Sequence, residues 1–456
     1  MEREKLGSRL GFIFMSASCA VGLGNIWRFP YLAGTYGGGL FLVIFIGCMF
    51  LLALPIMAME FSVGRASQKS IIRSFHELQP KGTKWHIMGY VGMAGNYILM
   101  MFYCTITGYM ANYFVKTVSG EFVNATEDQV GAIFGGMLGS AGQNLGWMIF
   151  VVIAGLIICA IGLRKSVERV SKIMMSGLMI ILIVLAVHGI TMRNAGEGLK
   201  FLFIPRLEVL QEHNIWDIIF AAMGQSFFTL SVGMGSMAIF GSYIGKEHRL
   251  FGESVYVGFL DLAVSILSGV VIFTAVFAFN QDPSAGFGLV FVNLPNVFNA
   301  MPLGRFWGSM FFLFISFAAF TTVIAVFENL VACLMDMLGW SRLKASMINI
   351  PIVILGGLPI AFGFNIWPFE PMGPGTVFLD LYDFILSDNI LPLGALIYVL
   401  FCMVKKGWGY QNFIAEVNTG NGLRFPTNIK WYFTYIVPVL IIIIFVMGYY
   451  NKFFAN

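Results

Sequence analysis

The chain has 456 residues, of which 58% are hydrophobic and only 11% charged, with a formal net charge of +4 at neutral pH. Soluble domains carry roughly 25% charged residues, so the composition excludes a soluble globular protein and points to one embedded in lipid. The small positive balance follows from membrane topology and implies no nucleic-acid partner.

A bilayer crossing needs about 20 apolar residues. Eleven such runs are predicted, at 10–34, 40–64, 88–115, 145–162, 168–188, 215–240, 252–279, 304–337, 346–362, 376–404 and 430–450. The first contains "SASCAVGLGNIWRFPYLAGTYGGG", which holds Gly22, Gly24, Asn25, Arg28, Pro30 and Gly34. A lipid-facing helix has no use for such residues. The length of the run, its arginine and the lack of a small-residue cleavage site argue against a signal peptide. The second span carries Glu60, the seventh Asp261, the eighth Glu328 and Asp336, and the tenth Asp383. An ionised group at the membrane centre costs at least about 2.5–3.5 kcal/mol unless compensated, so each is a candidate for function. The sixth span contains "LSVGMGSM", Leu230 to Met237. Its VGMG nearly repeats the VGLG of the first.

Backbone at membrane depth leaves the helix only where protein or a wet cavity satisfies it. The two interrupted strings each open a block of five spans. Because five is odd, the second block starts from the opposite side of the membrane, which makes an inverted repeat with broken helices paired near the midplane, a pointer to a transporter's binding site. The plainer alternative is that glycine-rich membrane helices simply pack closely. One such string would favour it; two in equivalent positions favour a site. The expected organisation is residues 1–188 as the first repeat, 189–404 as the second, and 405–456 as a cytoplasmic loop with the eleventh helix. The fold class is an all-α integral membrane protein. Half-helix N-termini suit a carboxylate, and their C-termini and unwound carbonyls suit an ammonium group and hard cations.

Twenty of the 27 Lys and Arg residues fall on the side that carries Arg3, Lys5 and Arg9. The positive-inside rule therefore puts the N-terminus in the cytoplasm, and an odd span count leaves the C-terminus outside. The six cysteines all fall within spans, with no disulfide framework or metal spacing. Asn124-Ala125-Thr126 is a glycosylation triplet of a kind that often arises by chance.

The strings "GLGNIWRFPYLAGTYGGGLF", "MEFSVGR", "GQSFFTLSVGMGS" and "FAAFTTVIAVFEN" resemble the neurotransmitter:sodium symporter family, and within it the bacterial amino-acid transporters, including those with eleven helices. The resemblance covers essentially the whole chain. It implies two sodium sites. The first would use the Ala20 carbonyl, Asn25, Thr229 and Asp261, completed by the substrate carboxylate. The second would use the carbonyls of Ser18, Val21 and Ala318 with Thr321 and Thr322. Threonines in a membrane helix often bond back to their own turn, so Thr321 and Thr322 gain this role only from standing opposite the first break. The resemblance also implies a pocket formed by Ala20, Gly22, Leu23, Gly24, Leu99, Tyr103, Phe228, Thr229, Ser231, Met234, Thr322 and Val326, with Tyr103 donating to the carboxylate and Phe228 as a lid. Arg28 with Asp383 would form an outer gate, and Arg3 with Asp336 an inner one. Glu60 would bind backbone donors near the breaks, or serve structure alone; Glu328 has no assigned role.

Three positions bear on specificity and mechanism. Monoamine members of the family have an aspartate where this chain has Gly22, so the expected substrate keeps its own carboxylate. In chloride-dependent members a tyrosine and an asparagine help to hold the anion; here those positions read Phe45 and Asp261, although Gln225 and Ser265 match. No chloride is expected. Asp261 would supply the negative charge and could carry a proton back, or be a sodium ligand only. The glycine and proline that let the fifth helix unwind in relatives read Ser166 and Ser176.

The resulting expectation is a non-enzymatic, Na⁺-coupled, chloride-independent symporter in the cell (inner) membrane. It would act as a monomer and import hydrophobic and aromatic L-amino acids by alternating access, with H⁺ counter-transport as a further expectation. The alternatives are a cation channel, which would favour repeated subunits or rings of charge, and a sensor of the same fold. No HExxH or Gly-x-Ser-x-Gly string supports an intramembrane enzyme.

Overall fold

The computed structural model describes residues 7–279 and 288–454, and among these residues the protein is helical with only isolated β-bridges. Among the described residues nine helices are long and apolar enough to cross a membrane: Gly39–Ser67, Ile87–Ser119, Ala141–Ile161, Glu168–Ile190, Leu250–Ala278, Gly304–Leu338, Arg342–Phe362, Phe378–Met403 and Tyr432–Phe454. They correspond to predicted spans two to five and seven to eleven. Several run a turn beyond the predicted ends, because helices continue past the apolar stretch into the polar loops.

The first and sixth spans are the interrupted ones. In the first, the helix Arg9–Ala20 ends where Val21 turns extended, and the chain resumes as a π-helical turn, Gly24–Arg28, leading into Phe29–Thr35. The two halves are bent by 52°. In the sixth, Ile215–Thr229 and Ser236–Gly241 flank the irregular stretch 230–235. Gly233 and Gly235 take φ of +100° and +73° there, and Ser231 takes +52°. Glycine adopts such angles without the Cβ penalty, which explains the spacing of the VGMG string.

Burial separates core spans from lipid-facing ones. In the most apolar 18-residue windows of the third, seventh and eighth spans 72% of residues are buried, against 39% for the fourth, fifth and ninth and 33% for the eleventh. The third, seventh and eighth spans therefore lie deepest in the bundle, the second is 61% buried and packs on the second half of the sixth, and the fourth, fifth, ninth and eleventh are the most exposed. Short helices such as Ile71–Leu78, Glu127–Gly139 and Tyr410–Val417 close the ends. On the face that carries the N-terminus, the buried Arg65 bonds Glu416 Oε1 at 2.5 Å and the carbonyl of His248 at 2.7 Å. This ties the second span to the loops after the sixth and tenth.

The second half of the sixth span lies directly on the second span. A Cβ on Gly64 would sit 1.8 Å from the Ala238 carbonyl oxygen, and one on Gly241 would sit 2.3 Å from the Phe61 carbonyl oxygen. Neither neighbour is a flexible side chain, so the backbones themselves would have to part. Gly64→Ala should therefore destabilise the folded protein by about 1–3 kcal/mol, the usual cost of overpacking. A lowered melting temperature of the purified variant in detergent is the expected result, and an unchanged one would mean that the two spans are held less closely than described.

Candidate functional site

The breaks in the first and sixth spans meet in the middle of the bundle, and the polar side chains around them form two clusters and a cavity. The first cluster centres on Asp261 of the seventh span. Asn25 Nδ2 donates to Asp261 Oδ1 at 2.8 Å and to Ser265 Oγ at 2.8 Å, and Thr229 Oγ1 donates to Asp261 Oδ1 at 3.0 Å. Asn25 Oδ1 in turn accepts from Gly22 N at 2.9 Å, and Gln225 donates to the Gly24 carbonyl at 2.8 Å. Asn25, Thr229 and Asp261 are all buried. The groups that donate to Asp261 here are neutral. A buried carboxylate met only by neutral donors among oxygen ligands is suited to a small hard cation, which would supply the missing counter-charge.

The second cluster joins the first and eighth spans. The Thr322 hydroxyl lies 3.1 Å from the Ser18 carbonyl oxygen, 3.3 Å from that of Val21 and 3.4 Å from that of Ala318. Thr321 donates to the Ala318 carbonyl at 2.9 Å. A hydroxyl has one proton to give, so three carbonyls around it leave lone pairs converging on one place. That donor set also fits a cation. All five residues named for this cluster from the sequence are brought together.

Between the clusters lies a tight cavity of about 10 Å³, so a substrate has to widen it on entry. The first span lines it with Cys19, Ala20, Gly22 and Gly24, and the third with Leu99 and Tyr103. The sixth span contributes Phe228, Ser231 and Met234, and Thr322 closes one side. Leu386 and Leu391 of the tenth span complete the apolar part. Leu23 and Thr229 stand outside this lining: Leu23 acts through its N–H, which donates to the Tyr103 hydroxyl at 2.9 Å, and Thr229 belongs to the Asp261 cluster. Val326, also named from the sequence, is fully buried one turn beyond Thr322 and is not part of the lining.

Gly22 is fixed by space. A Cβ there would lie 2.3 Å from the Tyr103 hydroxyl and 2.4 Å from Thr322 Oγ1. The Tyr103 hydroxyl accepts from Leu23 N and also neighbours the Thr322 hydroxyl, so it stands at the polar end of the cavity. The backbone that frames this spot is held by Glu60, whose Oε1 accepts from Gly233 N at 2.6 Å and Oε2 from Met237 N at 3.3 Å. Ser231 Oγ donates to the Cys19 carbonyl at 2.9 Å and ties the two breaks together.

Above the cavity, Arg28 stacks over the Phe228 ring at 4.7 Å from its centre and lies 3.6 Å from Asp383. Both charged groups also line a vestibule of about 420 Å³. Phe228 and the Arg28–Asp383 pair thus stand between vestibule and cavity. At the other end, Asp336 accepts from Ser70 N at 2.7 Å; Arg3, its expected partner, lies outside the described residues. Glu328 is fully buried and accepts from Tyr243 at 2.7 Å and from Arg342 at 2.6 Å.

Some residues that build the site were not singled out from the sequence. Asn96 donates to the Met234 carbonyl at 3.0 Å and accepts from Ser236 at 2.7 Å and Asn329 at 3.0 Å, so it links the third, sixth and eighth spans. An asparagine in the middle of an apolar helix was the available signal. Leu386 and Leu391 carried none, because a leucine in a membrane span looks the same facing lipid or ligand.

The Sodium:neurotransmitter symporter family profile matches residues 3–130 and 127–453. The chain is 32% identical to an uncharacterized sodium-dependent transporter, YhdH, of Bacillus subtilis, over 96% of each protein. It is 30% identical to an uncharacterized sodium-dependent transporter of Haemophilus influenzae over 98% of each. Its structure superposes on the crystal structure of MhsT in complex with L-phenylalanine with a TM-score of 0.89 and 37% identity, covering 98% of this chain and 100% of that one. The chain therefore belongs to the sodium:neurotransmitter symporter family, a family of multi-pass membrane transporters and not of enzymes.

Proposed function

We propose that this protein is a sodium-coupled symporter that imports hydrophobic and aromatic L-amino acids by alternating access, without chloride. The observation that carries the reading is the cavity between the two broken spans, flanked by the Asp261 and Thr322 clusters and lidded by Phe228 beneath Arg28. A zwitterion would direct its carboxylate to the Tyr103 hydroxyl and the first cluster, where a sodium ion completes its shell between that carboxylate and Asp261. A second sodium at the Thr322 cluster would bridge the first and eighth spans. Side chains of the substrate would lie against Leu99, Met234, Leu386 and Leu391. Met234 is unbranched and adaptable, so several apolar side chains should fit, and the crystallised phenylalanine complex of MhsT is in keeping with that class.

In this reading residues 1–188 and 189–404 are the two repeats that move against each other, the N-terminus is cytoplasmic, the C-terminus is outside, and a monomer suffices. Asp261 stands in for the anion other members require. After sodium leaves, it takes a proton and returns it, which makes H⁺ a counter-transported ion.

The decisive experiment is uptake into proteoliposomes. Uptake of L-phenylalanine should require a sodium gradient and saturate, and its absence with a correctly folded protein would remove the reading. L-Tyrosine should compete, whereas tyramine, which lacks the carboxylate, should compete tenfold to a hundredfold less well, as expected from losing about 1.5–3 kcal/mol of charge-assisted bonding. Equal competition by the two would contradict the assignment of Gly22 and Tyr103.

Chloride and the gate give two further tests. An anion about 4 Å from an ionised Asp261 would be repelled by roughly 4 kcal/mol at an effective dielectric near 20. Exchange of external chloride for gluconate should therefore leave uptake unchanged, while Asp261→Asn should abolish it or make it respond to chloride. At the gate, an ammonium lacks the planar fork that grips a carboxylate and stacks on an aromatic ring. Arg28→Lys should lower uptake about tenfold at normal expression, the scale of one charge-assisted contact. Uptake equal to that of the unmodified protein would assign Arg28 to topology alone.

A further inference from the structure

Ser166 and Ser176 stand where relatives unwind the fifth helix, and here Glu168–Ile190 is an unbroken α-helix. The irregularity lies earlier. A single residue, Gly162, separates the fourth span, which ends at Ile161, from a π-helical turn, Leu163–Val167, that leads into the fifth. Gly162 has φ +125°, a conformation essentially confined to glycine, and a Cβ there would meet nothing within 4 Å. It is therefore needed for its backbone angle and not for packing, as a hinge requires.

Directly after this turn stands Glu168, a buried carboxylate aimed at the start of the first span. Its Oε2 accepts from Gly7 N at 3.1 Å, and its Oε1 lies 2.7 Å from Lys172 Nζ. Lys172 also reaches Ser8 Oγ at 3.1 Å, and Ser8 caps the helix by accepting from Gly11 N at 3.0 Å. Glu168 packs so closely on Gly11 that a Cβ there would fall 2.1 Å from Oε1. On the other side of the same helix end, Arg9 pairs with Glu253 of the seventh span at 2.8 Å. Gly11 precedes Ser18 by seven residues, two helical turns on one face, and the Ser18 carbonyl belongs to the Thr322 cluster.

We infer that Glu168 is the latch by which the fifth span holds the N-terminal half of the first span closed beneath the Thr322 cluster, with Gly162 as the hinge that lets it go. Glu168 is a positioning residue: it touches neither the ion cluster nor the cavity. Opening the N-terminal face separates Gly7, Ser8 and Gly11 from Glu168 and Lys172, and the fifth helix swings as a rigid rod about residues 162–167 without unwinding in its middle. The inference rests on the alternating-access reading above.

The test uses the full chain in inverted membrane vesicles. A charged methanethiosulfonate reagent is applied to the N-terminal face, and modification of Cys19, which lines the cavity and is buried, is located by mass spectrometry. In the unmodified protein, sodium with L-phenylalanine should slow that modification. Two variants release the latch by different means: Glu168→Ala removes the carboxylate, and Gly11→Ala leaves it in place but displaces it. Each should speed Cys19 modification about tenfold or more, as loss of a hydrogen bond to a charged group shifts an opening equilibrium. Sodium with L-phenylalanine should still protect in both variants, which shows that they are folded. Missing protection in the unmodified protein overturns the transport reading and the latch with it. Protection there with an unaltered rate in either folded variant overturns the latch alone.

Discussion

Two stretches of backbone are opened at membrane depth, and the rest of the molecule is arranged around satisfying them. In hydrocarbon an unmet N–H or carbonyl costs several kcal/mol. Each group opened here that the site uses has a named partner. Asn25 takes the N–H of Gly22, Tyr103 that of Leu23, and Glu60 those of Gly233 and Met237. Gln225 serves the Gly24 carbonyl, Ser231 that of Cys19, and Thr322 those of Ser18 and Val21. These partners come from the first, second, third, sixth and eighth spans, which is why those spans crowd the centre. The residues that make the breaks tolerable and the residues that would hold a zwitterion and two cations are largely the same set. Structural support and transport chemistry are therefore not separable at this centre.

The same constraint sets the scale of the cavity. Gly22 has no room for a Cβ against Tyr103 and Thr322, and Gly24 has little against Phe228, which a Cβ would approach to 3.0 Å. The polar end is consequently built from backbone and hydroxyl groups at close quarters, while only the far end, toward Leu99, Met234, Leu386 and Leu391, is made of compliant side chains. A polar group missing from the substrate leaves fixed donors unpaired, whereas a change of apolar side chain is absorbed by methionine and leucine. Such a division would discriminate strongly on a substrate's polar groups and weakly on its apolar part.

Much of this centre was legible in the sequence, because broken helices announce themselves through glycine and asparagine where lipid-facing residues are expected. The VGLG and VGMG strings located both breaks, and the intramembrane carboxylates Glu60 and Asp261 located their supports. Less legible was whatever depends on which face a regular helix turns inward. Leu386 and Leu391 have no periodic marker, and the tenth span's contribution to the cavity arises from packing alone. Val326 stood in a matching position but lies a turn too far along the eighth helix to meet the cavity. Asn96 carried a signal that required knowing three neighbours at once. The π-helical turn after Gly162 was invisible, since its sequence, LRKSV, has no residue that excludes an ordinary α-helix.

The charged pairs are unequal at the two ends. At the end away from the N-terminus, Arg28 and Asp383 stand at 3.6 Å with Asp383 about a third exposed, beside a vestibule that Asp388 and Lys452, paired at 2.7 Å, also line. Toward the N-terminal face, Glu168, Glu253, Glu328 and Glu416 are paired with Lys172, Arg9, Arg342 and Arg65 at 2.5–2.8 Å, and every one of these carboxylates is mostly or fully buried. Solvated pairs contribute little, whereas a buried carboxylate deprived of its partner is costly. More buried carboxylates are thus paired at the N-terminal face than at the other. In the alternating-access reading, parting the N-terminal face would expose or re-pair several buried charges at once, which bound ligands would drive only through a difference in their affinity for the two states. Cations at the clusters that join the first span to the seventh and eighth would supply such a difference, because their oxygen ligands would part if the first span moved. The ions that would stabilise the closed N-terminal face are then also the ones whose departure permits it to stay open.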